Sequence, residues 1–142
     1  LIEAHTRPQP RVQAGRLALE YGATAGMDLS DGLFGDLPKI LTSSRVDATV
    51  DLSTIPVAAA VRSLFPDRWL ELATRGGEDY ELLLTIPAHR LSLLQEALTA
   101  IDQTLTVIGG IGLRSANPTL SARNRAGVVA PVVSGAFDHF QS

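Results

Sequence analysis

The chain is 142 residues long, a length that fits one domain and buries about 68–70% of the unfolded surface without staples. Its 45% hydrophobic and 19% charged residues exclude disorder, and no apolar run approaches the roughly 18 residues of a membrane span. The lack of cysteine excludes disulfides, thiolate nucleophiles and cysteine-held metals and fits a reducing cytoplasm, while a net charge of -3 with scattered arginines and one lysine disfavours nucleic acid as a partner.

In chain order, Arg7-Pro8-Gln9-Pro10-Arg11 has two prolines one residue apart, which predicts an extended entry segment there, and residues 1–11 read as a linker. Residues 12–142 then read as a single domain. The chain begins at Leu1 and its only methionine, Met27, lies inside a predicted strand, so it is expected to be part of a longer protein. Val12, Leu17, Ala18 and Tyr21 predict an amphipathic helix stopped by Gly22. A short strand, Thr24 to Met27, precedes a helix whose apolar positions are Leu33, Leu37, Ile40 and Leu41. Pro38 inside that helix removes one i to i-4 bond, predicting a kink or a restart near Asp36.

Between this strand and this helix lies Asp28-Leu29-Ser30-Asp31-Gly32, which puts two carboxylates, a hydroxyl and a flexible glycine at one junction. Two chemistries fit it. Mg2+ takes hard oxygen ligands and is commonly held by one or two carboxylates plus nucleotide phosphates, so Asp28 and Asp31 suit the metal. Ser30 and the helix start suit a phosphate oxygen. The plainer alternative is that Ser30 or Asp31 merely caps the helix.

Val46, Ala48, Val50 and Leu52 alternate with Asp47, Thr49 and Asp51, as in a strand with one wet face. Short helices are predicted from Pro56 to about Leu64 and after Pro66, the second carrying Trp69, Leu70, Leu72 and Ala73. Tyr21 and Trp69 read as core. Gly76-Gly77 ends the second helix, and Tyr80 to Ile86 is a β-prone run. In Gly76-Gly77-Glu78-Asp79-Tyr80-Glu81, strand alternation puts Asp79 and Glu81 on one face and Tyr80 and Leu82 on the other. A tight turn with solvated acids fits the same residues.

Ala88 to Ile101 predicts an amphipathic helix with Leu91, Leu94, Leu98 and Ile101 on its stripe. A strand from Leu105 to Ile108 follows. Gly109-Gly110-Ile111-Gly112 lacks the Lys-Ser/Thr of a phosphate loop and reads as a bend or bulge. Short strands are predicted near Thr119 to Ala122 and Val128 to Val133. His5, His89 and His139 have no metal spacing, and His139 reads as a packing residue. The fold class expected is α+β, a mixed β-sheet with packed helices.

Four segments in this order, Arg7 to Val12, Met27 to Leu33, Gly76 to Leu83 and Gly135-Ala136-Phe137-Asp138-His139-Phe140, resemble the C-terminal domain of thiamine-monophosphate kinase. This family lies within the aminoimidazole ribonucleotide synthetase superfamily. The resemblance implies that family's domain fold, ATP as co-substrate, Mg2+ as cofactor, and phosphorylation of thiamine monophosphate to thiamine diphosphate. It also implies Asp28 and Asp31 as metal ligands, Ser30 as an ATP contact, and Glu78 and Phe137 as contacts to thiamine. No residue is implied as a general base, since phosphoryl transfer relies chiefly on positioning and charge neutralisation. The family's N-terminal ATP-binding domain, which carries much of its homodimer contact, is absent from these residues, so the isolated chain is expected to be inactive. A stand-alone ligand-binding module and a domain of a sister enzyme are the competing readings.

Overall fold

The computed structural model describes residues 6–132, so Phe137, His139 and the Gly135 to Phe140 segment lie outside the described residues. The first helix, α1 (Val12–Glu20), turns Ala14 and Ala18 inward. Gly22 ends it by entering the left-handed region at φ 88°, while its N–H bonds Leu19 O and that of Ala23 bonds Ala18 O. This double bond pattern is the glycine stop expected of a helix end.

Strand β1 (Ala25–Asp28) leads through the acidic junction into α2 (Leu33–Ser44), and strand β2 (Val46–Asp51) follows directly. The short helices are α3 (Ala59–Leu64) and α4 (Trp69–Arg75), and β3 (Leu82–Thr85) follows the second acidic junction. A 3-10 turn over Ala88–Arg90 opens α5 (Leu91–Thr99), and three strands close the fold: β4 (Gly109–Arg114), β5 (Leu120–Arg123) and β6 (Val129–Pro131).

The strands form two sheets. β1 and β3 make an antiparallel ribbon with Asp28 opposite Leu82. The other four are ordered β4-β2-β5-β6, with β2 and β5 parallel and the outer pairs antiparallel, which makes this sheet mixed.

Alternation along β3 explains how the ribbon joins two cores. Leu83 points into the main core with Leu33, Phe34, Leu37, Ile40 and Leu41 of α2 and with Ala48, Val50 and Leu120 of the mixed sheet. Leu82 and Leu84 point the other way, onto Ala14, Ala18, Leu94 and Leu98 of α1 and α5. Leu94 is fully buried. Hence the β1-β3 ribbon is a wall between two apolar clusters, and its Asp28 end projects the acidic junction from a support packed on both faces.

Several sequence expectations are corrected. The helix does not restart near Asp36: α2 is one helix from Leu33 to Ser44 with Pro38 inside it, and five buried apolar side chains lie before and after the proline. Residues Leu105 to Ile108 are not a strand, and the glycine-rich stretch after them is strand β4. There, a Cβ on Gly109 would lie 2.2 Å from Thr49 O, so glycine permits the approach of β4 to β2. Trp69 belongs to neither core; it is half-buried at the start of α4, with the Arg62 guanidinium 4.0 Å from its ring centroid. Tyr21 does pack on the α1-α5 cluster.

Candidate functional site at a doubly acidic corner

The two acidic junctions, 48 residues apart between Asp28 and Gly76 in sequence, meet in space. The Glu78 N–H bonds Ser30 O at 3.0 Å, the Tyr80 N–H bonds Leu29 O at 2.8 Å, and the Leu29 N–H returns to Glu81 O at 2.9 Å. Glycine makes this contact possible. A Cβ on Gly32, which sits at φ 81°, would lie 2.7 Å from Gly76 O, and one on Gly77 would lie 2.6 Å from Ser30 O.

The capping alternative does not describe the first junction. The N-cap of α2 is Gly32, with no side-chain cap hydrogen bond, so neither Ser30 nor Asp31 fills that role. Instead Asp36, one turn into the helix and wholly buried, reaches back with Oδ2 to the N–H groups of Ser30 and Asp31, both at 2.9 Å. Its Oδ1 is 2.7 Å from Lys39 Nζ, which also lies 2.5 Å from Asp31 Oδ2. Burial pushes the Asp36 carboxyl upward, but the Lys39 bond and the two backbone N–H bonds outweigh it and hold the group below its ordinary range. Lys39 is pushed up to about 12, first by its bond to Asp31 and then by that to Asp36.

Asp28, at the end of β1, is exposed, and among the described residues its side chain makes no hydrogen bond or ion pair. In the second junction Glu78 and Tyr80 have φ of 70° and 51°, so the strand alternation expected there does not hold and β3 starts only at Leu82. The two left-handed residues turn toward each other, and the Tyr80 hydroxyl donates to Glu78 Oε2 at 2.9 Å. This bond is the main cause of the raised Tyr80 pKa, with smaller contributions from the charges of Asp28 and Asp31. Glu81 is drawn outward to Arg11, whose guanidinium grips both carboxylate oxygens at 2.6 and 2.9 Å and clips the start of the domain to β3.

Asp28, Ser30, Asp31 and Glu78 thus share one corner, while Phe137 lies outside the described residues. Sequence reasoning missed Asp36 and Lys39. Their signal was present: Asp36 is an acid on the apolar stripe between Leu33 and Ile40, and Lys39 is the sole lysine.

The donor chemistry fits Mg2+, since Asp28 and Asp31 offer hard carboxylate oxygens. Among the described residues no three His, Cys, Asp or Glu side chains converge on one point. A set of one or two carboxylates completed by water and phosphate is typical of Mg2+ sites. A groove of about 480 Å³ lies elsewhere, on the mixed sheet, against Thr49, Asp51, Gly109, Gly110 and Arg123. It contains none of the corner residues.

A mixed sheet with packed helices is the aminoimidazole ribonucleotide synthetase-like fold, to which the solved structures that the chain superposes on belong. The chain is similar to thiamine-monophosphate kinases in both sequence and structure. It is 41% identical over 110 residues to the Escherichia coli K12 thiamine-monophosphate kinase, covering 77% of this chain and 34% of that protein. The crystal structure of the Stenotrophomonas maltophilia K279a thiamine-monophosphate kinase superposes with a TM-score of 0.72 at 36% identity, over 87% of this chain and 37% of the other. AaThiL complexed with AMPPCP and TMP superposes with a TM-score of 0.69 at 27% identity, over 84% of this chain and 36% of the other. Hydrogenase maturation protein HypE, at 17% identity and a TM-score of 0.66, shares the fold alone. No family model matches the chain. The chain spans about a third of the length of the Escherichia coli relative.

Proposed function

We propose that this chain is the C-terminal part of an ATP- and Mg2+-dependent kinase that converts thiamine monophosphate to thiamine diphosphate. The observation that carries the reading is the meeting of the two acidic junctions, locked backbone to backbone. Likeness to thiamine-monophosphate kinases supports it, as does a relative complexed with AMPPCP, an ATP analogue, and TMP.

In this reading Asp28 and Asp31 hold Mg2+, whose role when bound is to neutralise charge on the transferring phosphoryl group. Ser30 and the first turn of α2 present a hydroxyl and N–H groups without intrahelical partners to a phosphate oxygen of ATP. Asp36 fixes these donors by holding the Ser30 and Asp31 amides. Glu78, aimed by Tyr80, contacts the thiamine portion, and Phe137 supplies a ring against it. Residues 1–11 form the linker and residues 12–142 the domain, while the remaining two thirds of such a kinase supply the rest of the ATP site. A homodimeric cytoplasmic parent completes the reading, on the strength of the resemblance.

The test exchanges this chain for the matching segment of the Escherichia coli relative and measures thiamine diphosphate formation from thiamine monophosphate and ATP. Activity is expected in the chimera and not in the isolated chain, and Asp28→Asn or Glu78→Gln in the chimera should reduce it by at least about tenfold. A folded, inactive chimera, or turnover by the isolated chain, overturns the reading.

A further inference from the structure

Lys39 is the only lysine in the chain, and its ammonium lies between two carboxylates of different freedom. Asp36 is fully buried and its second oxygen is fixed by two backbone N–H bonds, so it is an immobile anchor. The Asp31 side chain is 34% exposed, and among the described residues Lys39 is its only side-chain partner. Lys39 itself is half-exposed on a flexible four-carbon stem. It can leave Asp31 and keep Asp36, whereas the reverse would strand a buried charge.

A cation at this position neutralises the carboxylate assigned above to the metal, in a corner that also gathers Asp28, Asp36 and Glu78. We propose that Lys39 is a built-in counter-ion: it holds Asp31 in place in the metal-free domain, and a divalent cation displaces it from Asp31 while it remains anchored on Asp36. This inference rests on the reading of Asp31 as a metal ligand. Its consequence is competition, so divalent affinity is set partly by Lys39, and the buried Asp36 is the residue that positions the competitor. Because the Asp31 pair is exposed, the competition is modest and weakens with salt.

Mn2+ in place of Mg2+ provides the readout. It is titrated into the full 142-residue chain while paramagnetic broadening of the Leu29 to Gly32 amide signals is followed, a measurement that works at millimolar affinity. Lys39→Gln should tighten Mn2+ binding about two- to fivefold, the scale of an exposed ion pair. Lys39→Arg, which retains the charge, should stay near wild type, and Asp31→Asn should abolish the selective broadening. Unchanged or weaker binding in Lys39→Gln, with Asp31→Asn still abolishing the effect, overturns the counter-ion and leaves Asp31 a ligand. Broadening that persists in Asp31→Asn, or is absent from the wild type, overturns the ligand reading and the counter-ion with it.

Discussion

The two acidic junctions occupy one corner yet are shaped by opposite means. Asp28 to Gly32 is held by a side chain, since the buried Asp36 carboxylate gathers the Ser30 and Asp31 amides. Gly76 to Glu81 is held by its main chain, with left-handed Glu78 and Tyr80 and amide bonds to Leu29 and Ser30. A carboxylate anchor responds to charge and pH. A backbone anchor responds to steric bulk. Joining the two kinds lets exposed acids be positioned without burying the acids themselves.

The largest effect is expected from breaking the side-chain anchor. Asp36→Ala removes an acceptor from two amides and the partner from Lys39, and should cost about 3 kcal/mol in urea unfolding. A loss below about 1 kcal/mol would mean that the first junction is shaped by something else. The same anchor sets an acid limit. The folded carboxyl of Asp36 lies below its unfolded value, so its stabilisation is present above the unfolded value of about 4 and fades as pH falls through the folded one. Lys39 works in the opposite sense: its contribution is complete below about 10.4 and fades as pH rises through about 12. Asp36→Asn should therefore lose less stability than the wild type between pH 5 and pH 2, roughly the carboxylate window.

Breaking the backbone anchor comes next. Gly32→Ala sets a Cβ against Gly76 O and Arg75 C while requiring a positive φ, and should cost about 2 kcal/mol. Its signature is faster amide exchange at Glu78 and Tyr80, on the far junction. Unaltered exchange there would show the two junctions to be independent. The smallest change is Tyr80→Phe, which removes one hydrogen bond to Glu78 and should cost about 1 kcal/mol by thermal or urea unfolding. Loss of more than about 2 kcal/mol would give the phenol a packing role that the half-exposed ring does not suggest.

Much of the fold was legible in local pattern. The alternation of Val46, Ala48 and Val50 marked β2, and the spacing of Leu33, Leu37, Ile40 and Leu41 marked the buried face of α2. The failures share one cause. Pro38 sits within an unbroken helix and Gly109 to Gly112 lies in a strand because neighbours override local preference: packing on α2 in one case, close approach of β2 in the other. Trp69 was read as core from its helical apolar spacing, yet it joins neither core and Arg62 stacks on its half-buried ring.

The site divides the same way. Each acidic junction can be found in the sequence, since carboxylates beside glycines between apolar runs are a local signal. That they meet was decided only by tertiary structure, because antiparallel pairing of β1 with β3 sets Asp28 opposite Leu82. The roles of Asp36 and Lys39 were hidden for a related reason. Whether an acid on a helix is solvated or buried, and whether a lysine caps one carboxylate or bridges two, depends on distances that spacing along the chain does not contain. Sequence determined the elements, the acids and the family they resemble. Folding decided which acids are exposed to act and which one is buried to hold them.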